Sequence, residues 1–99
     1  MNATMIRAKM RPEHAADLDA TIRDFFAALQ EMQPQGVRYA SCRLPDGVTY
    51  VILLEIEEGF ENPLPALAEF QSFQAALRGW IAEPPVTEPL AVVGSYRLF

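Results

Sequence analysis

A chain of 99 residues is one domain's length, spanning 1–99, and it can bury only about two-thirds of its unfolded surface. With 51% hydrophobic residues, part of its apolar content is expected to meet a partner. Eight basic against thirteen acidic residues give a net charge of −5, and the basic ones are scattered, which excludes the clustered footprint a nucleic acid needs. The single cysteine, Cys42, excludes an internal disulfide and any Cys/His metal cluster. The first ten residues lack a continuous apolar stretch and no run of about 18 apolar residues occurs, so a cytoplasmic protein without a membrane contact is expected.

Thr4 to Met10 alternates Thr4, Ile6, Ala8 and Met10 with Met5, Arg7 and Lys9, the pattern of a half-buried strand. Pro12 then suits the first turn of a helix, with Glu13 and Asp17 at the favourable end of its dipole. Ala15, Leu18, Ile22, Phe25, Phe26, Leu29 and Met32 recur every three or four positions and make one apolar stripe. Pro34 cannot continue that helix, and Gly36 is free to turn left-handed.

Val37 to Glu57 reads as two strands around Pro45-Asp46-Gly47, a hairpin. In its second strand Val48, Tyr50, Ile52, Leu54 and Ile56 occupy one face while Val51 and Leu53 sit on the other, so the strand is expected to be covered on both sides. Pro63 and Pro65 frame a second helix start, and Leu67, Phe70, Phe73, Leu77 and Trp80 repeat at helical spacing to about Ile81. Glu83 to Pro89 reads as an extended, polyproline-like connector. The last strand is expected over Leu90 to Phe99, with a bulge or close approach at Gly94.

The order is therefore βαββαβ, a ferredoxin-like α+β fold whose four strands form one antiparallel sheet with both helices on one face. The uncovered face is expected to carry Met5, Val51, Leu53, Val93, Phe99 and Tyr39 among Arg7, Lys9, Ser41, Arg43, Glu55, Ser95 and Arg97. Such a patch is typical of an interface, and a surface that meets itself makes a two-fold homodimer. On this face Arg43 and Arg97 are the expected partners of Glu55.

The βαββαβ order, the length, the two-sided apolar strand and the stretch Phe70-Gln71-Ser72-Phe73-Gln74 resemble the dimeric α+β barrel proteins, in particular the antibiotic biosynthesis monooxygenase-like group. The resemblance implies a homodimer whose sheets pair as an α+β barrel, with a pocket in each subunit between helices and sheet. Some members of the group oxidise aromatic polyketides or quinols with O₂ and need no metal or flavin. Others degrade haem and carry an axial histidine in the second-helix region, where this chain has none. The resemblance thus implies no cofactor, a small apolar or aromatic ligand, and polar residues around the pocket of the kinds found at Asn62 and Trp80.

The candidate pocket residues are Phe25, Tyr50, Asn62, Phe73, Trp80 and Tyr96, because the helix and strand aromatics are expected to converge between helices and sheet. No catalytic residue is singled out. His14, the one histidine, lies off the apolar stripe and reads as a solvated residue. Cys42 shares a face with Ala40 and Leu44 and reads as a small buried hydrophobe. Asn62 reads first as a turn or cap residue ahead of Pro63, and only second as a group that positions a substrate oxygen. Glu57, Glu58 and Glu61 form an acidic loop without the Asp/Asn/Gly pattern of a cation-binding loop. The competing reading is a structural or regulatory dimer whose aromatics are simply core.

Overall fold

The computed structural model describes residues 2–97. Strand β1 (Asn2–Lys9) leads through a 3₁₀ turn at Pro12–His14 into α1 (Ala15–Met32), followed by β2 (Val37–Arg43) and β3 (Thr49–Ile56). A second 3₁₀ turn at Leu64–Ala66 precedes α2 (Ala68–Trp80), and β4 (Val86–Ala91) follows. The four strands form one antiparallel sheet in the order β2-β3-β1-β4. This is the ferredoxin-like α+β arrangement that the sequence predicts.

The period-two pattern of β1 and β3 decides where the core sits. Ile6 lies opposite Ile52 and Ala8 opposite Tyr50, so these residues share the helix-facing side. Leu18 and Phe25 of α1, Phe73 of α2 and Leu64 of the second 3₁₀ turn close over them. The ends are fastened by backbone bonds: the Arg11 N–H donates to the Trp80 carbonyl at 2.9 Å and the Ala82 N–H to the Lys9 carbonyl at 2.8 Å. Helix α1 ends at Gln33, itself left-handed (φ 46°), whose N–H bonds the Leu29 carbonyl. Gly36 also takes a positive φ of 76°, and the Phe60 ring rests where a side chain would begin.

Four expectations are corrected. The last strand is Val86–Ala91, not Leu90 to Phe99, and the segment read as a connector supplies most of it. Pro89 is tolerated there because β4 is an edge strand with a neighbour on one side, so half its N–H groups have no ladder partner to serve. Val92 to Arg97 continue without strand structure, and Leu98 and Phe99 lie outside the described residues.

The second correction concerns β2. Arg43 pairs with Tyr50, Ser41 with Ile52 and Tyr39 with Leu54, so Tyr39, Ser41 and Arg43 belong to the helix-facing side. The hairpin register, set by the four-residue turn inside the Leu44 N–H to Thr49 carbonyl bond, fixes this. The third follows from it: Arg38, not Arg43 or Arg97, pairs with Glu55. Cys42 comes to the open face and is exposed, not a buried hydrophobe.

Candidate functional site

Between helices and sheet, Phe25 sits at the hub of an aromatic layer. The rings of Tyr39, Phe70 and Phe73 lie 5.3, 5.5 and 5.5 Å from it, and that of Phe26 lies 5.6 Å away. Offset and edge contacts at these spacings are favourable packing, and a cleft of about 240 Å³ opens at the margin of the layer beside Phe26 and Tyr39. Burial pushes the Tyr39 phenol up to about 12, and the nearby Ser41 hydroxyl offsets this in part.

The other candidates spread around this core. Tyr50 is buried, and its hydroxyl donates to Asp19 Oδ1 at 2.6 Å, with the Ala15 carbonyl 3.1 Å away. The phenol is raised above its usual 10.0, first by burial and then by the Asp19 carboxylate. Trp80, half-buried, stacks on the His14 ring at 5.4 Å, and His14 Nδ1 lies 3.3 Å from Asp17 Oδ2. Tyr96 is 81% exposed beyond β4, with the Arg97 guanidinium 5.1 Å over its ring. Phe25, Phe73 and Tyr50 share one core, Trp80 packs against it, and Asn62 and Tyr96 stand apart from it.

Asn62 borders an open groove of about 650 Å³ that runs between the ends of β1 and β3, β4 and the loop before α2. Its walls are Thr4, Leu54, Ile56, Pro89 and Leu90, with Asn62 at the rim and no ionisable side chain among them. The Asn62 Oδ1 accepts the Leu64 N–H at 3.0 Å, an Asx turn that fixes the side chain and leaves its NH₂ group available. The space therefore suits a neutral, mostly apolar molecule with a hydrogen-bond acceptor.

At the opposite end of β3, a cleft of about 230 Å³ is lined by Asp19, Ile22, Arg23, Ser41, Cys42, Arg43 and Tyr50. Both Asp19 oxygens are occupied there, Oδ1 by Tyr50 and Oδ2 by Arg43.

The open sheet face has its own order. Across β2, β3, β1 and β4 the first row is Arg38, Glu55, Ala3 and Leu90, and the second is Ala40, Leu53, Met5 and Glu88. The third is Cys42, Val51, Arg7 and Val86. Glu55 is only 1% exposed; Arg38 donates to its Oε1 at 2.9 Å, while its Oε2 is buried without a partner among the described residues. The acidic loop at Glu57, Glu58 and Glu61 is exposed, and among the described residues no three His, Cys, Asp or Glu side chains gather as a metal site. No helix among them is long and apolar enough to cross a membrane.

Leu54, Ile56 and Pro89, which wall the groove, carry no chemical signal in the sequence, since apolar alternation marks them only as strand residues. Asp19 was hidden because its partner Tyr50 is 31 positions away.

No family model matches the chain, and no curated protein matches it. Solved structures do resemble it. A protein of Nitrosomonas europaea provisionally named an antibiotic biosynthesis monooxygenase aligns with a TM-score of 0.77 at 15% identity, over 95% of this chain and 100% of its own. One of Caulobacter crescentus CB15 with the same provisional name gives 0.71 at 24% identity, over 94% and 90%. A third, from Chloroflexus aurantiacus, gives 0.73 at 16% identity over the whole of both chains. At these identities the likeness is one of fold, and the fold is the one these monooxygenase-like structures share.

Proposed function

We propose that the protein is a homodimer that binds a small neutral molecule, largely apolar and aromatic, in the groove walled by Leu54, Ile56 and Pro89. The observation that carries this reading is the groove itself: about 650 Å³ with walls apolar apart from Thr4 and one anchored amide, Asn62, at the rim. That volume and chemistry are those of a small-molecule site. The dimer is supported by the open face, where Met5, Val51 and Leu53 sit half-buried with no helix over them and Glu55 holds an unpartnered oxygen.

The names of the structural neighbours suggest the reaction. An electron-rich aromatic CH₂ group becomes a carbonyl, O₂ gives one oxygen to it, and the other leaves as water with the two hydrogens. All four electrons come from the substrate. The chain's part is to exclude water and hold the substrate, which requires shape more than titratable groups.

Native mass spectrometry of the purified protein tests the assembly, and titration with the neutral aromatic ketone anthrone under argon, then in air with an oxygen electrode, tests binding and turnover. The expected result is twice the 11.1 kDa chain mass, saturable binding, and oxygen uptake matched by anthraquinone. Asn62→Asp keeps the acceptor for the Leu64 N–H but places a charge in the groove, and it should weaken binding by about tenfold or more at unchanged stability. Binding that is indifferent to this change would place the ligand elsewhere. A protein that binds no neutral aromatic would leave the structural dimer as the better account.

A further inference from the structure

The cleft between α1 and β2 contains more binding capacity than its internal bonds use. Asp19 is fully engaged, with Tyr50 on one oxygen and Arg43 on the other, so it acts as an anchor that fixes both side chains. Arg43 has spent one of its five N–H donors on this bond. Arg23, one turn beyond Asp19 on the same helix, lines the cleft and makes no ion pair with any described residue.

Ser41 supplies the second observation. Its Oγ is fully buried and, among the described residues, makes no hydrogen bond of good geometry, although it lies near enough to the Tyr39 phenol to lower it. Buried hydroxyls are normally satisfied, and one held this weakly in the lining of a cleft can rotate to donate to a bound acceptor. If Asp19, Tyr50 and Arg43 were merely structural, an alanine at position 41 would serve better.

The geometry points to a site for a small organic monocarboxylate, held by Arg23, Arg43 and the Ser41 hydroxyl. Two guanidinium charges less the Asp19 carboxylate leave +1 in the lining, on a chain whose net charge is −5. That balance matches a monoanion better than a dianion. The planar forks of the two arginines fit a carboxylate, and Ile22 with the Tyr50 ring offers a surface for a short apolar body. A volume of about 230 Å³ holds roughly eight water-sized groups, the size of a benzoate and too small for an extended chain.

The site is separate from the groove proposed above. Tyr50 lies near the start of β3 and Ile56 at its end, while β2 and β4 are opposite edges of the sheet. Either site can fail without the other.

The test is an amide NMR titration of the intact protein with benzoate, with benzamide as its neutral counterpart and sulfate as a dianion. Benzoate is expected to cause saturable shifts at Ser41, Cys42, Arg43 and the Asp19–Arg23 turn, with benzamide causing none and sulfate binding more weakly. Arg23→Gln, which removes no ion pair among the described residues, and Ser41→Ala, which removes only the weak contact with Tyr39, should each weaken benzoate by about tenfold. The inference is overturned if benzamide shifts the same amides equally, if sulfate binds as tightly as benzoate, or if neither variant alters the titration.

Discussion

Replacing Leu53 with lysine separates the two faces of β3 in one experiment. Leu53 lies opposite Met5 on β1 and Ala40 on β2, at the centre of the open face and half-buried in the single chain. Full burial of a leucine is worth roughly 1.5–3 kcal/mol, so a side chain already half-buried gains about 1 kcal/mol on pairing. A two-fold interface meets the substitution twice, and two ammonium groups brought together away from water cost several kcal/mol more. The sum is at least about 4 kcal/mol, or about a thousandfold in the dissociation constant. Leu53 points away from the helices, so the chain should still fold. Sedimentation equilibrium at micromolar concentration should therefore give a dimer for the wild type and a monomer for Leu53→Lys, with matching far-ultraviolet circular dichroism. A variant that stays dimeric refutes the proposed interface, and one that loses its helices refutes the assignment of Leu53 to the open face.

Gly36→Ala should lower the urea-derived stability by roughly 2–4 kcal/mol, because φ is +76° and the new Cβ would stand 2.5 Å from the Phe60 Cγ. The double change with Phe60→Ala should recover the steric part and leave the backbone part. Tyr50→Phe keeps the packed ring but removes the bond to Asp19, and a loss of about 1–2 kcal/mol is expected in the same assay, since the carboxylate is only partly exposed. Tyr39 makes stability fall at alkaline pH: its folded pKa of about 12 exceeds the ordinary 10.0, so the native state keeps a proton that the unfolded state loses. Stability should be intact below pH 10.0 and decline by up to roughly 2–3 kcal/mol towards pH 12, and Tyr39→Phe should remove that part of the slope. Asp46 acts at the other end, held below its usual 3.8 by the Thr49 hydroxyl and the Val48 and Thr49 N–H groups, so hairpin stability should be present above pH 3.8 and fall as the pH drops through the lowered value. An acid titration of stability in Asp46→Ala, lacking this fall, checks it.

Much of the fold could be read from the chain because its information is periodic. The stripe from Leu18 to Phe25 and the alternation of Ile6, Ala8 and Ile52 each name a face, and those faces meet in the core. What could not be read depends on a single-residue register. Tyr39 and Ala40 are both plausible inward residues, and only the length of the turn after Arg43 decides between them. Pro89 misled for a related reason: a proline argues against a central strand, but at an edge it costs nothing. The candidate site suffers most, since Asn62 and the walls of its groove are brought together from three elements far apart in sequence.

Glu55 shows why the open face cannot be treated as ordinary surface. A carboxylate on solvent-facing sheet would turn both oxygens to water at little cost, and this one is 1% exposed with Oε2 unpartnered among the described residues. Arg38 satisfies one oxygen from the neighbouring strand, and Ala3 and Leu90 complete the row on the other side without offering a donor. The face does carry cations elsewhere: Arg7 and Lys9 are exposed on β1, and Arg7 pairs with no described acid. If the proposed dimer pairs these two faces, a cation of the second sheet would be the natural donor for the Glu55 oxygen that no described residue satisfies. In such a pairing the apolar centre at Met5, Val51 and Leu53 would supply the area, and the charges at its margin would set the register.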